Sequence, residues 1–492
     1  MRTVYRLRVR RMETAGRQAR RPKGFRAAVV LAAAATAGGG ATACGEPEPL
    51  IVDVIVGQET DTFSREPAVT RVELRAVGPG GQTLTAGRAA PGGEVSLGAL
   101  SDETLVRFDV EGTDVDAVTR VRGRSLSVLI GGVEGGPIPV FAARLARWSR
   151  PPGTLAHGHA FGHGGIVGER FVFLTGGEGL EGDAERIAFY DLLGWNGSPG
   201  ATLPVAAESL AVSVDGRATL LLAGDTATWV VFDDDTRIPM AAPEGLSSFA
   251  DVSGGRTVVG PDATFIVGAT RTRGAPTDRV LVVEDDRSLR IARLVRPRAG
   301  AAATWVDGVG LVVAGGSEEA PGVEVVAYDP EVRVLEATSR PFAADPTVGA
   351  TAVAVNGEPW LVCGTNAAGE AAPLRRLDLA GCVEGCAAET QAEAPPTSLV
   401  RCDGFTDGPT GMITIGSTVT SASSGASPPL GPAAAFRIDL DAGLWTELPL
   451  REPRIGPAVT PTPNGAIALL GGRAPDDGRP VLSVELLFPS AE

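Results

Sequence analysis

Residues 302–329, AATWVDGVGLVVAGGSEEAPGVEVVAYD, contain the pattern that decides the fold. One apolar run, LVVAGG, ends in small residues and glycine, and a second run, VEVVAYD, ends at Asp329. Asp307-Gly308 precedes the first run, and such a dipeptide tolerates the positive φ angles of a two-residue hairpin turn. The stretch therefore predicts antiparallel strands joined by tight turns.

The same pattern recurs seven times between residues 145 and 490. The glycines that end the apolar runs are 48, 44, 47, 49, 52 and 55 residues apart, and they are Gly176, Gly224, Gly268, Gly315, Gly364, Gly416 and Gly471. A nearly constant period of this length indicates one structural unit that is repeated along the chain. The 65 glycines and 37 prolines of the 492 residues agree with many short strands and turns.

Individual repeats resemble those of the kelch β-propeller family. Its glycine pair is complete at 176–177, 315–316 and 471–472. In two repeats the apolar run after the glycine ends at an Asp, and a tryptophan follows this Asp, Trp195 in one repeat and Trp445 in the other. The resemblance covers residues 145–490 and implies four antiparallel strands per unit. The predicted fold class is all-β, a seven-bladed kelch-like β-propeller (141–492) preceded by a small β-sandwich.

The ring needs one more strand. The sequence ends at Glu492, directly after the third strand of the last unit. Residues 141–148, FAARLARW, are strand-like and carry Trp148 where a kelch fourth strand would have it. We expect this segment to complete the last blade, which would leave no free sheet edge.

Residues 50–140 have strand patterns of another kind. In Val72–Val77, apolar and charged residues alternate, which is the period of a half-buried strand, and Pro79-Gly80-Gly81 indicates a turn. The spacing of such runs predicts an Ig-like β-sandwich that acts as a spacer or docking module.

Residues 1–43 are predicted to be a signal peptide. Arg20, Arg21, Lys23 and Arg26 precede a weakly apolar stretch over 27–43. The sequence ATACG at 41–45 resembles the lipobox of bacterial lipoproteins, although Ala41 stands where that family usually has Leu. The resemblance implies lipidation of Cys44, with 44–49 as a tether, and a membrane-anchored lipoprotein exported to the bacterial cell envelope. The alternative is ordinary secretion, in which Cys44 has no role. Translation starts at Met1 or at Met12.

The charge distribution argues against nucleic acid as a partner. Residues 1–43 hold ten of the 44 basic residues and one of the 59 acidic residues, so the remainder is strongly acidic. Such a body is repelled by nucleic acid and by anionic lipid headgroups. No segment after residue 43 approaches the length of apolar sequence that a transmembrane helix needs, so none is expected in the mature chain.

All three histidines lie in one segment, His157, His159 and His163. Alternate residues of a strand share a face, and imidazoles bind zinc, copper or nickel, so the three are a candidate metal site. Kelch units often have a histidine on the innermost strand, and that resemblance implies a structural role instead.

Four cysteines lie close together in the sequence. In an oxidising compartment they are disulfide candidates, Cys382 with Cys386 and Cys363 with Cys402. Zinc binding by all four is less favoured because paired CxxC spacing is absent.

The sequence favours a non-catalytic binding or assembly module, without a cofactor, for a protein or glycan partner. The alternative is a metal-dependent propeller enzyme that uses the histidine cluster. Galactose oxidase shares the kelch architecture but needs two tyrosines, two histidines and a crosslinked cysteine; after the leader only Tyr190 and Tyr328 are present. A purely structural role as an envelope spacer is a third possibility.

Overall fold

The computed structural model describes residues 6–10 and 51–490, except 96, 98–99, 133–136, 180–185, 203–208, 215–217, 232–235, 253, 268–275, 317–321, 329–335, 341–346, 367–368, 380–387 and 420–429. The described part of the chain is almost entirely β-strand, with short 3-10 turns at Ile130–Gly132 and Phe249–Asp251. No helix in these ranges is long and apolar enough to cross a membrane.

The first strands form one hydrogen-bonded sheet in the order β1-β2-β8-β6-β5-β3-β4, with β7 paired to β5. The strands are β1 (Arg6–Arg10), β2 (Ile51–Ile55), β3 (Arg71–Val77), β4 (Thr83–Ala89), β5 (Leu105–Thr113), β6 (Thr119–Arg124), β7 (Val128–Leu129) and β8 (Ile138–Arg144). Strand β8 is antiparallel to β6 and parallel to β2, so it joins the two parts of the sheet. We call this sheet the N-terminal unit.

Strand β1 lies within the predicted signal peptide and pairs in parallel with β2. Because β2 also pairs with β8, removal of residues 1–43 would leave β2 as a paired edge strand. Export processing is therefore compatible with the rest of the N-terminal unit.

The first three blades contain four main strands each. The first has β10, β11, β13 and β14, with β9 and β12 paired beside them; the second has β15–β18 and the third β19–β22. The bounds are β9 (His159–Ala160), β10 (His163–Val167), β11 (Phe171–Thr175), β12 (Glu178–Gly179), β13 (Arg186–Asp191), β14 (Asn196–Thr202), β15 (Ser209–Val214), β16 (Ala218–Ala223), β17 (Thr226–Val231), β18 (Thr236–Met240), β19 (Arg256–Val259), β20 (Ala263–Val267), β21 (Thr277–Glu284) and β22 (Leu289–Arg298).

The last four blades contain β23–β26, β27–β30, β31–β34 and β35–β37. The bounds are β23 (Ala302–Val306), β24 (Gly310–Ala314), β25 (Val323–Ala327), β26 (Glu336–Arg340), β27 (Thr351–Val355), β28 (Glu358–Val362), β29 (Leu374–Arg376), β30 (Glu389–Ala392), β31 (Leu399–Thr406), β32 (Gly411–Val419), β33 (Leu430–Asp439), β34 (Leu444–Glu447), β35 (Ala458–Pro461), β36 (Ile467–Leu470) and β37 (Glu485–Leu487). The chain is therefore a seven-bladed β-propeller with an additional N-terminal unit.

A separate apolar core lies between each pair of neighbouring blades. In β24, Leu311 and Val313 pack toward the third blade while Val312 packs toward the fifth. Blade strands are buried on both faces, which explains why their sequences are continuous apolar runs rather than alternating ones. The core between the seventh and first blades includes Leu470 and Val172, and it completes the ring.

The closing segment is shorter than the predicted 141–148. Residues up to Arg144 belong to β8 in the N-terminal unit, because they pair with β6. After this strand the chain turns to the last blade: Ala146 donates to the Phe488 carbonyl at 3.3 Å, and Ser149 and Leu486 exchange backbone hydrogen bonds of 2.9 and 2.8 Å. Trp148 is fully buried in the core between the sixth and seventh blades.

Five of the repeat glycines lie where the second strand of a blade ends. Gly176, Gly315 and Gly471 have φ of 68°, 64° and 62°, a region that is unfavourable for residues with a Cβ. Gly224 and Gly364 also have positive φ, whereas Gly416 continues β32 and Gly268 lies outside the described residues. In the fifth blade Cys363, with φ of 63°, occupies the place of the first glycine, directly before Gly364.

Candidate functional site

The innermost strands of the blades surround the propeller axis, and they all begin at the same end of the channel. Arg256, at the start of β19, donates to Thr351 Oγ1 at 2.8 Å, the Cys402 carbonyl at 2.9 Å and the Ala350 carbonyl at 3.0 Å. Arg256 belongs to the third blade, and its acceptors belong to the fifth and sixth. The side chain therefore crosses the channel opening, and all three of these acceptors are neutral.

Two further arginines lie at this opening, Arg401 in the sixth blade and Arg473 in the seventh. The Cζ atoms of Arg401 and Arg473 lie 5.1 and 5.6 Å from the centroid of the Phe161 ring. At this distance a guanidinium is attracted to the negative face of an aromatic ring, by about 0.5–1 kcal/mol at an exposed site. We call Arg256, Arg401, Arg473 and Phe161 the arginine mouth.

The backbone holds this arrangement in an unusual conformation. Phe161 and Arg401 have φ of 59° and 54°, and Arg401 lies in a bulge where the pairing of β31 with β32 shifts register. The Phe161 N–H donates to the Gly456 carbonyl at 2.6 Å, and a Cβ at Gly456 would lie 2.5 Å from the Phe161 ring. Non-glycine residues at positive φ cost about 1–3 kcal/mol each and cluster at ligand sites.

The mouth is not purely basic. Glu178 forms an ion pair with Arg473 at 3.0 Å, and their side chains are 58% and 38% exposed. An ion pair this exposed contributes about 0–1 kcal/mol, so a ligand carboxylate can compete for Arg473. Asp403 is close enough for its charge to act on the neighbouring Cys402 thiol.

The three histidines are not brought together as metal ligands. Within the described part of the chain, no three His, Cys, Asp or Glu side chains are placed to hold a metal ion. His163 begins β10 opposite Thr175, His157 lies in the preceding loop, and His159 is fully buried with its Nδ1 2.9 Å from the Gly176 carbonyl.

The position of His159 explains its burial. Arg298 Nη1 donates to the Gly315 carbonyl at 2.7 Å, and Arg454 Nη1 donates to the Gly471 carbonyl at 3.2 Å. In these two contacts, and in that of His159 with the Gly176 carbonyl, the paired residues are 17 positions apart in the sequence. Relative to the glycine of the first blade, His159 thus occupies the place that Arg298 and Arg454 occupy relative to the glycines of the fourth and seventh blades.

Each of these two arginines also forms a buried ion pair. Arg298 Nη2 lies 2.9 Å from Glu324, with both side chains 1% exposed, and Arg454 Nη2 lies 2.7 Å from Glu485, with both at 0%. Burial lowers the pKa of both guanidiniums, while the partner carboxylates act against that shift. The Arg454–Glu485 pair fastens the loop before β35 to β37 of the same blade, and the Arg298–Glu324 pair fastens the end of β22 in the third blade to β25 in the fourth.

Cys363 and Cys402 are buried free thiols in neighbouring blades. Burial, followed by a hydrogen bond with Cys363, raises the pKa of Cys402 well above its usual value. Cys363 Sγ also lies 3.1 Å from Thr414 Oγ1. The structure therefore brings this predicted pair together as thiols, whereas Cys382 and Cys386, like Cys44, lie outside the described residues.

The two tyrosines of the body are in separate blades. Tyr190 is buried and donates its hydroxyl to the Pro152 carbonyl, and burial raises its pKa. The Tyr328 hydroxyl lies 3.4 Å from Glu284 Oε1.

The sequence analysis missed the arginines. One signal was present: Arg298 and Arg454 each lie in a Pro-Arg-X-Gly motif, which reads Pro-Arg-Ala-Gly in the first case and Pro-Arg-Ile-Gly in the second. Arg256, Arg401 and Arg473 share no such motif, because they converge only when the ring closes.

Comparisons with known proteins add little to this. No family model and no curated protein matches the chain. Among solved structures, a streptogramin B lyase structure matches with a TM-score of 0.41 and 10% identity, over 68% of this chain and 95% of that one.

Proposed function

We propose that this protein is a lipid-anchored, non-catalytic binding module of the bacterial cell envelope, which presents a kelch-like propeller to a protein or glycan partner. The N-terminal unit serves as the spacer, and we infer that its one sheet folds around its own core as an Ig-like sandwich. Recognition takes place at the arginine mouth, and it favours a partner that carries carboxylate groups.

The arginine mouth is the observation that carries this proposal. Three guanidiniums and an aromatic ring from four blades meet at one end of the channel of a chain with net charge −15. Arginine matches a carboxylate through two parallel N–H donors, and Arg together with aromatic residues is enriched in the energetically dominant parts of interfaces. Because Arg256 crosses the opening, the partner binds on the surface instead of entering the channel.

Strands β2 and β8 connect the N-terminal unit to the ring. Ile55 and Phe141 pack in the core shared with the first and seventh blades. Val52 and Ile138 lie on the opposite faces of the same strands, in the N-terminal unit's own core. The predicted tether at 44–49 precedes β2 in the sequence, so a lipid on Cys44 would hold this unit, and through it the propeller, at the membrane.

A comparison of variants tests the binding site. We expect material from the envelope fraction that is retained by the immobilised wild type to be lost from a double Arg401→Ser and Arg473→Ser variant. Arg479→Ser is the matched control, because Arg479 is 80% exposed and pairs only locally with Asp477 at 2.5 Å. Retention of the same proteins and glycans by all three would refute recognition at the mouth.

A second experiment tests the anchor independently. Cys44→Ala should move the protein from the membrane fraction to the soluble fraction, since no acyl chain can then be attached. If the variant stays membrane-bound, the lipidation proposal is wrong.

A further inference from the structure

A cavity of about 450 Å³ lies at the other end of the propeller from the arginine mouth. It is bounded by the hairpin turns that follow the innermost strands of the fifth, sixth and seventh blades, by the N-terminal unit and by the end of the chain. The wall includes Arg122 and Arg124 from β6, Asn356, Pro409, Gly465 and Phe488. We call it the interdomain cavity. Its volume is in the range of small-molecule sites, which often lie between domains.

The polar part of the wall is positively charged. Among the lining residues both charged side chains are arginines, and the rest are apolar or neutral. Asp109 is the acid beside them, but it is already bound by Arg107 through hydrogen bonds of 2.8 and 3.1 Å while lying 3.3 Å from Arg124. The Asp109 carboxylate is thus shared between Arg107 and Arg124. The positive charge of Arg122 is near enough to lower the pKa of Arg124.

The other described acids near the cavity bind elsewhere. Glu111 lies opposite Arg122 in the sheet, but it accepts from Arg75 at 2.6 Å. Asp407, beside the lining turn, is buried and binds Arg437 and Ser490. Arg122 itself donates to the Pro489 carbonyl at 3.3 Å, a long hydrogen bond to a neutral acceptor.

Burial of these guanidiniums favours an anion beside them. Desolvation is the main cause that lowers the pKa of Arg124, and the charges of Arg107 and Arg122 act in the same direction. An anion in the cavity would contact groups from both the N-terminal unit and the propeller. Apolar surface from Phe488 and Pro409 is available beside it.

We propose that the interdomain cavity binds a small organic anion, whose carboxylate is held by Arg122 and Arg124 and whose apolar part lies against Phe488 and Pro409. This site is separate from the arginine mouth. Its ligand would fasten the N-terminal unit to the fifth, sixth and seventh blades.

Calorimetric titration of the full chain with benzoate at low ionic strength tests the proposal. Benzoate should bind saturably at one site, and the neutral isostere benzamide should not. Arg122→Gln should weaken benzoate binding about tenfold or more, whereas Arg122→Lys should retain part of it because the charge remains. Arg88→Gln, on the same sheet but 63% exposed and paired with Glu73, is the matched control and should bind as the wild type does.

The other outcomes would overturn the assignment. Absence of saturable benzoate binding by the folded wild type, or equal binding by Arg122→Gln, would exclude this site. Binding of inorganic phosphate without benzoate would show a simple anion site and exclude the apolar contact. Loss of benzoate binding in Arg401→Gln would place the ligand at the arginine mouth, and would leave the proposed binding function standing while refuting this one.

Discussion

Replacing Arg454 by methionine should destabilise the propeller at the blade that closes the ring. The guanidinium donates to Glu485, the hydroxyl and carbonyl of Ser483, and the carbonyls of Gly471 and Glu452, over distances of 2.7–3.3 Å. Methionine fills a similar length but makes none of these bonds. Glu485 would keep two donors, the backbone N–H groups of Arg451 and Glu452 at 2.8 and 3.0 Å.

The cost follows from the burial of the pair. Removing one partner of a buried ion pair leaves an uncompensated charge and costs about 3–5 kcal/mol. At an unfolding entropy of about 2.1 cal/mol/K per residue, roughly 440 residues give about 0.9 kcal/mol/K, so Tm should fall by about 4 °C. The double variant Arg454→Met with Glu485→Leu should recover much of that loss, because an apolar replacement of both partners is often neutral.

Urea unfolding followed by tryptophan fluorescence can measure the effect, since Trp148 is fully buried beside the seventh blade. Arg479→Met is the control. Its ion pair is exposed, so the free energy of unfolding should change by less than about 0.5 kcal/mol. If Arg454→Met destabilises the protein no more than this control does, the buried pair does not fasten the blade and the reasoning is wrong.

Two further predictions concern buried groups. In the reduced protein Cys363 and Cys402 should resist alkylation at pH 8 until the chain unfolds, because burial raises the pKa of Cys402 and keeps it a thiol. Equal reactivity of the thiols before and after unfolding would contradict their burial. In the exported protein, mass spectrometry should find this pair two hydrogens lighter, as a disulfide. His159→Ala should lower stability by about 1–3 kcal/mol through the unsatisfied Gly176 carbonyl, and His159→Arg should restore part of it. Elemental analysis of the wild type and His159→Ala would overturn that structural role if a stoichiometric metal were lost with the histidine.

A comparison of the Asn356-Gly357 turn with Cys363 shows which backbone features the sequence predicts and which it does not. In Asn356-Gly357 both residues have positive φ, as the dipeptide predicts for a hairpin turn. At Cys363 the sequence offers no comparable signal, and its positive φ is imposed by the blade, in which other units have glycine. Local backbone preference therefore identifies the first feature and misses the second.

The sequence by itself determined the number of blades and the position of most strands, because period, glycine spacing and apolar runs are local properties of each unit. It also placed Trp148 near the last blade, but extended the closing segment into residues that β8 uses in the N-terminal unit. The arginine mouth and the interdomain cavity were decided only by the tertiary structure. Their members, such as Phe161 with Arg401 and Arg122 with Pro489, are hundreds of residues apart, and ring closure brings them within a few ångströms.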